Sequence, residues 1–176
     1  MTSTILFVLG PPGVGKTTLV RGLLEGFGAL SFIEPPDPKW TIAGCAVAAG
    51  WYKGGTFDGA DTVPYSGASK ALNYWGEWLK DAATLTIFDG ARFSTGPSLT
   101  RLREWAPDHR IVGVHLNAEP ICLWARRKLR GSNQNPSWIK GACTKASNFA
   151  SKIETVEIAA SSREETLAQV RSLLAV

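Results

Sequence analysis

The sequence has little of the material from which disulfide frameworks, zinc sites or membrane anchors are built. Three cysteines, Cys45, Cys122 and Cys143, are too few and too scattered for a disulfide scaffold or a zinc site. We expect them to be buried thiols in a reducing compartment. No apolar run approaches the roughly 18 residues that a membrane span needs. The apolar segment from Ile5 to Leu9 is too short for a signal peptide. These absences predict a cytoplasmic protein without membrane contact.

Internal repeats and low-complexity tracts are also absent. The 176 residues are 44% hydrophobic and 19% charged, which excludes a disordered tail or a collagen-like chain. A chain of this length is expected to form one globular domain over residues 1–176.

The positive charge of the chain is concentrated in one segment. The formal net charge is +4, yet residues 120–152 hold seven basic side chains and no acidic one. Solvated surfaces usually mix both signs, so this basic segment indicates contact with phosphate groups.

The hydrophobic pattern alternates between strands and helices. Strands are predicted at 4–9, 30–34, 85–89, 111–116 and 155–158. Helices are predicted at 16–25, 69–83, 99–105, 118–130, 138–152 and 163–174, with a weakly helical segment at 42–52 and a loop at 53–67. The alternation predicts an α/β three-layer sandwich with a five-stranded parallel sheet. Ligands of such sheets bind at the carboxyl ends of the strands. We therefore expect Gly10, the segment 34–37 and the segment 89–92 to converge.

A glycine-rich segment after the first predicted strand matches the phosphate-loop pattern G-x-x-x-x-G-K-[ST] without a mismatch. Glycines let the backbone wrap around a phosphate, and the following helix N-terminus adds partial positive charge. Lys16 would reach the β- and γ-phosphates, and the Thr17 hydroxyl would bind Mg²⁺. ATP and Mg²⁺ are therefore the expected cofactors. The residues expected to bind the nucleotide are Gly10, Pro12, Gly13, Val14, Gly15, Lys16, Thr17 and Thr18.

Phosphoryl transfer needs positioning, charge neutralisation and a group that accepts the proton of the attacking hydroxyl. Either Glu34 or Asp37, after the second predicted strand, is expected to accept that proton. Asp89, at the end of a buried strand, is expected to hold Mg²⁺ together with Thr17. Arg92 is expected to contact the transferring phosphoryl group.

A helix rich in arginine precedes a polar hinge at Gly131–Pro136. Arg126 and Arg130 lie four residues apart, so they share one helix face. Arg126, Arg127 and Arg130 are candidates to cover the transferring phosphoryl group. Together with the hinge, the segment over about residues 126–138 resembles the small arginine-bearing lid of nucleotide kinases, which closes over ATP and excludes water. Arg126 is also expected to bind the nucleotide. A solvated helix face is the alternative.

Two segments are predicted to bind the acceptor. In the first, aromatic rings would stack on a base and acids would read its edge or a hydroxyl. Its residues are Trp51, Phe57, Asp58, Asp61 and Tyr65. In the second, Trp138, Lys140 and Lys145 combine stacking with backbone charge, which suits a nucleic acid. A structured surface loop and an ordinary basic helix are the respective alternatives.

Three places in the sequence resemble the P-loop kinases of small molecules, namely the nucleoside monophosphate kinase-like group and the deoxynucleoside kinases. They are the phosphate loop, the stretch F-I-E-P…W at 32–40, and I-F-D-G-A-R at 87–92. The resemblance implies a P-loop kinase fold. It also implies that Glu34 takes the proton from a sugar hydroxyl and that Arg92 touches phosphate or substrate.

The overall layout is most similar to phage-type kinases that phosphorylate 5-hydroxymethyluracil within DNA. The similarity rests on the acids after the second and third predicted strands, on F-D-G-A-D at 57–61, and on R-G…Q…W…K-G…T-K at 130–145. It implies transfer to the hydroxymethyl group of a flipped or single-stranded base. The location would then be the cytoplasm of the host cell.

Other functions remain open from the sequence. A kinase of free deoxynucleosides or their monophosphates would use the basic segment only as an ATP lid. A DNA-stimulated P-loop ATPase or binding switch would transfer phosphate only to water. A kinase of another hydroxyl metabolite is a further alternative. The oligomeric state is also open, and a dimer would double the basic surface.

Overall fold

A computed structural model describes residues 3–55 and 58–175, which form seven strands and six α-helices. The strands are β1 (Thr4–Leu9), β2 (Leu30–Ile33), β3 (Trp40–Ala43), β4 (Ala46–Ala49), β5 (Leu85–Asp89), β6 (Arg110–Asn117) and β7 (Glu154–Ala159). The helices are α1 (Lys16–Glu25), α2 (Ala68–Tyr74), α3 (Gly96–Trp105), α4 (Pro120–Leu129), α5 (Pro136–Ala150) and α6 (Arg163–Leu174). A π-helical stretch, Trp75–Leu79, extends α2.

The strands form one mixed sheet in the order β2-β3-β4-β5-β1-β6-β7. The strands β4, β5, β1, β6 and β7 run parallel, whereas β3 is antiparallel to both β2 and β4. The prediction of a five-stranded, purely parallel sheet is therefore wrong. Five neighbouring strands are indeed parallel, but they include β4, which was not predicted as a strand, and β2 lies at the edge of the sheet.

A short hairpin, β3 and β4, occupies the segment predicted to be weakly helical. Gly44 and Cys45 form a two-residue turn, and Gly44 adopts a φ of +53°, where a Cβ would lie 2.7 Å from the Phe27 carbonyl oxygen. Ala46–Ala49 is buried throughout and pairs with β5. The alanines of this segment favour a helix, which is why the sequence pattern predicted one. Burial between two neighbouring strands outweighs that local preference and makes the segment a strand.

Helices cover both faces of the sheet and give three layers. On one face α2, α3 and α5 pack on Ile5, Phe7 and Leu9 of β1. On the other face α1, α4 and α6 pack on Leu6 and Val8. The alternation of these side chains between two cores explains why β1 is an uninterrupted apolar run.

The cysteines differ from the expectation of buried thiols. All three are free, but Cys45 and Cys122 are exposed and Cys143 is partly buried. Cys45 lies in the hairpin turn and Cys122 on the outer side of α4, where neither core reaches. Within the described part of the chain, no helix is long and apolar enough to cross a membrane.

Candidate active site

The phosphate loop joins β1 to α1 and holds Lys16 at its end. The backbone of Gly10 lies so close to β6 that a Cβ would meet the Leu116 carbonyl oxygen at 2.4 Å. The Lys16 ammonium donates hydrogen bonds to the carbonyl oxygens of Gly10, at 3.0 Å, and of Pro11, at 3.1 Å. Burial lowers the pKa of Lys16, and the negative charges of Asp89 and Asp61 oppose that shift.

Thr17 and Asp89 meet beneath the phosphate loop. The Thr17 hydroxyl donates a hydrogen bond of 3.0 Å to Oδ2 of Asp89, at the end of β5. Asp89 is only 4% exposed. Its pKa is raised by burial, against the opposing effects of Lys16 and of the Thr17 hydrogen bond.

This pair fits a Mg²⁺ site that is completed by phosphate. Mg²⁺ takes oxygen ligands, commonly one or two carboxylates together with substrate phosphates and waters. Thr17 and Asp89 offer one hydroxyl and one carboxylate on the floor of the cleft. Among residues 3–55 and 58–175, no group of three histidine, cysteine or acidic side chains could hold a metal by itself. The donor set therefore agrees with a metal that arrives with its nucleotide.

The last turns of α4 brace the phosphate loop. Arg126 donates to the Val14 carbonyl at 3.1 Å, and Arg127 donates to the Pro12 carbonyl at 3.3 Å. Arg130 lies near enough for its charge to lower the pKa of Lys16. The expected arginine cluster therefore surrounds the loop, with Arg126 and Arg127 bound to its backbone.

A cleft of about 1370 Å³ opens above the phosphate loop. It brings together most of the residues singled out from the sequence. These are the eight phosphate-loop residues with Asp58, Asp61, Tyr65, Asp89, Arg92, Arg126, Arg130, Trp138 and Lys145. Lys140, Glu34, Asp37 and Trp51 do not line it, and Phe57 lies outside the described residues.

The two carboxylates expected to act as the base lie apart from this cleft. β2 is separated from β1 by three strands, so its carboxyl end does not reach the phosphate loop. Glu34 instead forms an ion pair of 3.0 Å with Lys53 and is largely exposed. Asp37 borders a separate pocket of about 170 Å³. The expected convergence of the segment 34–37 with the phosphate loop is not found.

Trp51 has a supporting position in the same region. Its indole nitrogen donates to the Ile33 carbonyl at 2.8 Å. The ammonium groups of Lys39 and Lys53 lie 4.3 and 3.8 Å from its ring centroid. These contacts tie β2 to the loop after β4, and they occupy the ring that was expected to stack on a base.

The loop after β4 supplies the cleft wall that β2 was expected to supply. Asp58 is buried and accepts hydrogen bonds from the backbone nitrogens of Lys53, at 2.7 Å, and Gly54, at 3.0 Å, so it shapes the loop. Asp61 pairs with Arg92. The guanidinium of Arg92 also packs on the ring of Tyr65, 4.6 Å from its centroid.

Tyr52 packs behind the cleft wall, and the sequence reasoning missed it. Its side chain is fully buried, and its ring lies 2.9 Å from the position that a Cβ on Gly59 would take. Burial raises its pKa well above the usual value, and the charges of Asp89, Asp58 and Asp61 add to the shift. Tyr52 follows the end of β4, so recognising that strand would have pointed to it.

The fold and the loop together define a P-loop α/β protein, and several solved structures share this fold. A gluconokinase from Sinorhizobium meliloti 1021 superimposes with a TM-score of 0.57 at 17% identity, covering 98% of this chain and 91% of that chain. A sugar kinase from Janibacter sp. HTCC2649 gives 0.56 at 14% identity, covering 99% and 95%. A deoxyadenosine kinase from M. mycoides gives 0.54 at 11% identity, covering 97% and 98%.

These likenesses extend over nearly the whole chain and show that it has the fold of P-loop kinases. No protein-family model and no curated protein sequence matches it. The relation is therefore one of fold, and the chemistry has to be argued from the side chains in the cleft.

Proposed function

We propose that this protein is an ATP-dependent kinase that transfers the γ-phosphoryl group to a hydroxyl. The observation that carries the proposal is the combination of the complete phosphate loop with the Thr17–Asp89 pair beneath it. Three solved kinases that share the fold support this reading.

The cleft residues divide the work of positioning and charge neutralisation, which dominate phosphoryl transfer. The loop backbone cradles the phosphates, and Lys16 leaves its carbonyl partners to bind their oxygens. Thr17 and Asp89 would hold Mg²⁺, which would supply neutralisation of the phosphate charge. Arg126 and Arg130 face the same phosphates from α4. Closing the segment 126–138 over the cleft would exclude water and favour transfer to a hydroxyl over hydrolysis.

We further propose that the hydroxyl belongs to a pyrimidine in DNA, namely the hydroxymethyl group of 5-hydroxymethyluracil. None of the seven cationic side chains of the basic segment forms an ion pair within residues 3–55 and 58–175. Six of the other twelve lysines and arginines do so, namely Arg21, Lys53, Lys80, Arg92, Arg110 and Arg163. Unpaired cations in one segment favour an extended polyanion.

The basic segment also reaches the cleft. Trp138 and Lys145 of α5 line it, and the Trp138 side chain is about half exposed. A strand lying along α4 and α5 would thus bring a flipped base to the phosphate loop. The cleft is larger than the 300–1,000 Å³ typical of small-molecule sites. That size agrees with a nucleotide and an acceptor base bound together.

A kinase of free deoxynucleosides or their monophosphates is the second candidate. The observation that favours it is the fold shared with a deoxyadenosine kinase whose structure holds dCMP and dCDP. In that case the cations of α4 and α5 would serve the phosphates of ATP alone, and binding would not depend on DNA.

The two candidates are separated by presenting both acceptors side by side. γ-Labelled ATP and Mg²⁺ are supplied with DNA containing 5-hydroxymethyluracil, with matched thymine DNA, and with mixed free deoxynucleosides and monophosphates. The proposal predicts label in the modified DNA alone. Label in the free nucleotides alone would establish the second candidate, and label in neither would refute both.

A further inference from the structure

One acid that lines the cleft is largely exposed and accepts no hydrogen bond from Thr17 or from the loop backbone. Three acids line the cleft within the described part of the chain: Asp58, Asp61 and Asp89. Asp89 is buried and accepts from Thr17, and Asp58 accepts from two backbone N–H groups. Asp61 is 63% exposed and is held by Arg92 alone. From this elimination, and resting on the proposed kinase function, we infer that Asp61 is the catalytic base.

The loop after β4 brings Asp61 to the phosphate loop. β4 pairs with β5, and β5 pairs with β1, so the three carboxyl ends are neighbours. A Cβ on Gly59 would lie 3.0 Å from the Thr17 Cγ2 and 3.2 Å from the Asp89 Oδ2. Backbone hydrogen bonds from Gly59 to the Trp51 carbonyl and from Thr62 to the Gly59 carbonyl fix the turn that carries Asp61.

The environment of Lys16 agrees with this proximity. The charge of Asp61 lies close enough to raise the pKa of Lys16, second among the acids to that of Asp89, although burial lowers the pKa overall. Because Lys16 is the side chain that binds the γ-phosphate, Asp61 lies within electrostatic reach of the group that is transferred.

Arg92 positions the Asp61 carboxylate. Its guanidinium is packed on Tyr65 and is 17% exposed, so its direction is fixed. Its Nη1 group pairs with Asp61, and the side chain lines the cleft. The ion pair with Arg92 therefore holds the Asp61 carboxylate in one orientation.

In the reaction the acceptor oxygen attacks the γ-phosphorus while its proton passes to the Asp61 carboxylate. The new oxygen–phosphorus bond forms as the bond from the γ-phosphorus to the β,γ-bridging oxygen breaks, and the electron pair leaves with ADP. The exposed side of Asp61 then returns the proton to solvent, so atoms and charges balance.

The test compares single substitutions in the full-length protein with DNA containing 5-hydroxymethyluracil as the acceptor. Asp61→Asn keeps an oxygen that accepts from Arg92 but cannot take the proton. We expect kcat to fall about 10²- to 10⁴-fold, with the KM for ATP unchanged within about twofold. Glu154→Gln is the matched control, because Glu154 is 60% exposed and paired with Arg110 at the opposite edge of the sheet.

Glu34→Gln and Asp37→Asn are the competing variants. A large fall in kcat for either of them, with Asp61→Asn nearly unaffected, would overturn the inference. So would an effect of Asp61→Asn on the acceptor KM alone, since that would make Asp61 a binding group. Basal ATP hydrolysis keeps the inference testable if no hydroxyl acceptor is labelled, because water then takes the place of the hydroxyl. Hydrolysis should slow at least tenfold in Asp61→Asn, and an unchanged rate would refute the role.

Discussion

Lys16 and Asp89 carry charges that their burial disfavours. Desolvation lowers the pKa of Lys16 and raises that of Asp89. The attraction between the two charges partly offsets both shifts. Residues selected for folding alone would avoid such a pair. Their presence at the end of a strand and at the start of a helix indicates that binding chemistry determined these side chains.

The stability of wild type relative to Asp89→Asn at different pH values should show the free-energy cost of burying the Asp89 charge. Folding raises the pKa of Asp89 above its ordinary value of 3.8. The ionised form is therefore disfavoured in the folded state, and protonation relieves the penalty as pH falls through the raised pKa. We expect wild type to gain stability relative to Asp89→Asn between pH 7 and pH 4, measured by thermal unfolding of both proteins. A relative loss of wild-type stability on acidification would contradict the assignment.

Gly59→Ala should damage the junction between the loop after β4 and the phosphate loop. Gly59 has a φ of +69°, and a Cβ there would lie 2.9 Å from the Cε1 of Tyr52. The ψ of −146° at Gly59 lies in a region that is essentially confined to glycine. Backbone strain of about 1–3 kcal/mol and overpacking of about 1–3 kcal/mol should therefore add as a loss in the free energy of unfolding, measured with urea.

Gly131→Ala is the matched control for this substitution. Gly131 has a similar φ of +63°, but a Cβ there would meet no atom within 4 Å. Only the backbone term of about 1 kcal/mol is expected. Equal losses for the two variants would mean that Gly59 makes no tight contact.

The inner and outer faces of α4 differ in what they contact. The inner face of α4 is bound to the phosphate loop through Arg126 and Arg127. Its outer face exposes Ile121, Trp124 and Leu129, and the Lys128 ammonium lies 5.8 Å from the Trp124 ring centroid. An exposed tryptophan beside lysine, in a segment without acids, is suited to a stacked base and its phosphate.

Trp124→Ala should weaken DNA binding while leaving ATP binding intact. Base stacking contributes about 1–3 kcal/mol per base, so the Kd for an oligonucleotide should rise roughly 5- to 150-fold in fluorescence anisotropy. Trp78→Ala is the control, because Trp78 is 68% exposed but lies beside Glu77 on the extension of α2. Equal effects of the two substitutions would exclude a specific role for α4.

Features that depend on neighbouring residues were predicted from the sequence, whereas the order of the strands in the sheet was not. The phosphate loop, the strand ending in Asp89 and the arginines of α4 each depend on neighbours in the chain, and the structure has them in the cleft or bound to its loop. The position of Glu34 depends on which strand pairs with β5, and that is decided by contacts between distant segments. The alanine-rich sequence of β4 did not predict a strand. Without that strand, there was no reason to place Tyr52 and Asp61 close to the phosphate loop.

The distribution of charge over the whole molecule predicts a steep salt dependence for DNA binding. Each phosphate neutralised contributes about −0.9 to the slope of log K against log salt concentration. Seven cations of the basic segment have no acidic partner in the ion pairs of the described residues. We expect a strongly negative slope that becomes shallower by about 1 in Lys145→Gln. A flat dependence would show that DNA is not the partner of this surface.

The partition of the γ-phosphate between a hydroxyl and water tests the central claim most directly. Wild type and Lys16→Ala are incubated with γ-labelled ATP, Mg²⁺ and DNA containing 5-hydroxymethyluracil, and labelled DNA and inorganic phosphate are counted separately. The account predicts that label enters the DNA in wild type and that the transfer falls at least about 10²-fold in Lys16→Ala. Label found only in inorganic phosphate, or transfer that survives the loss of Lys16, would contradict it.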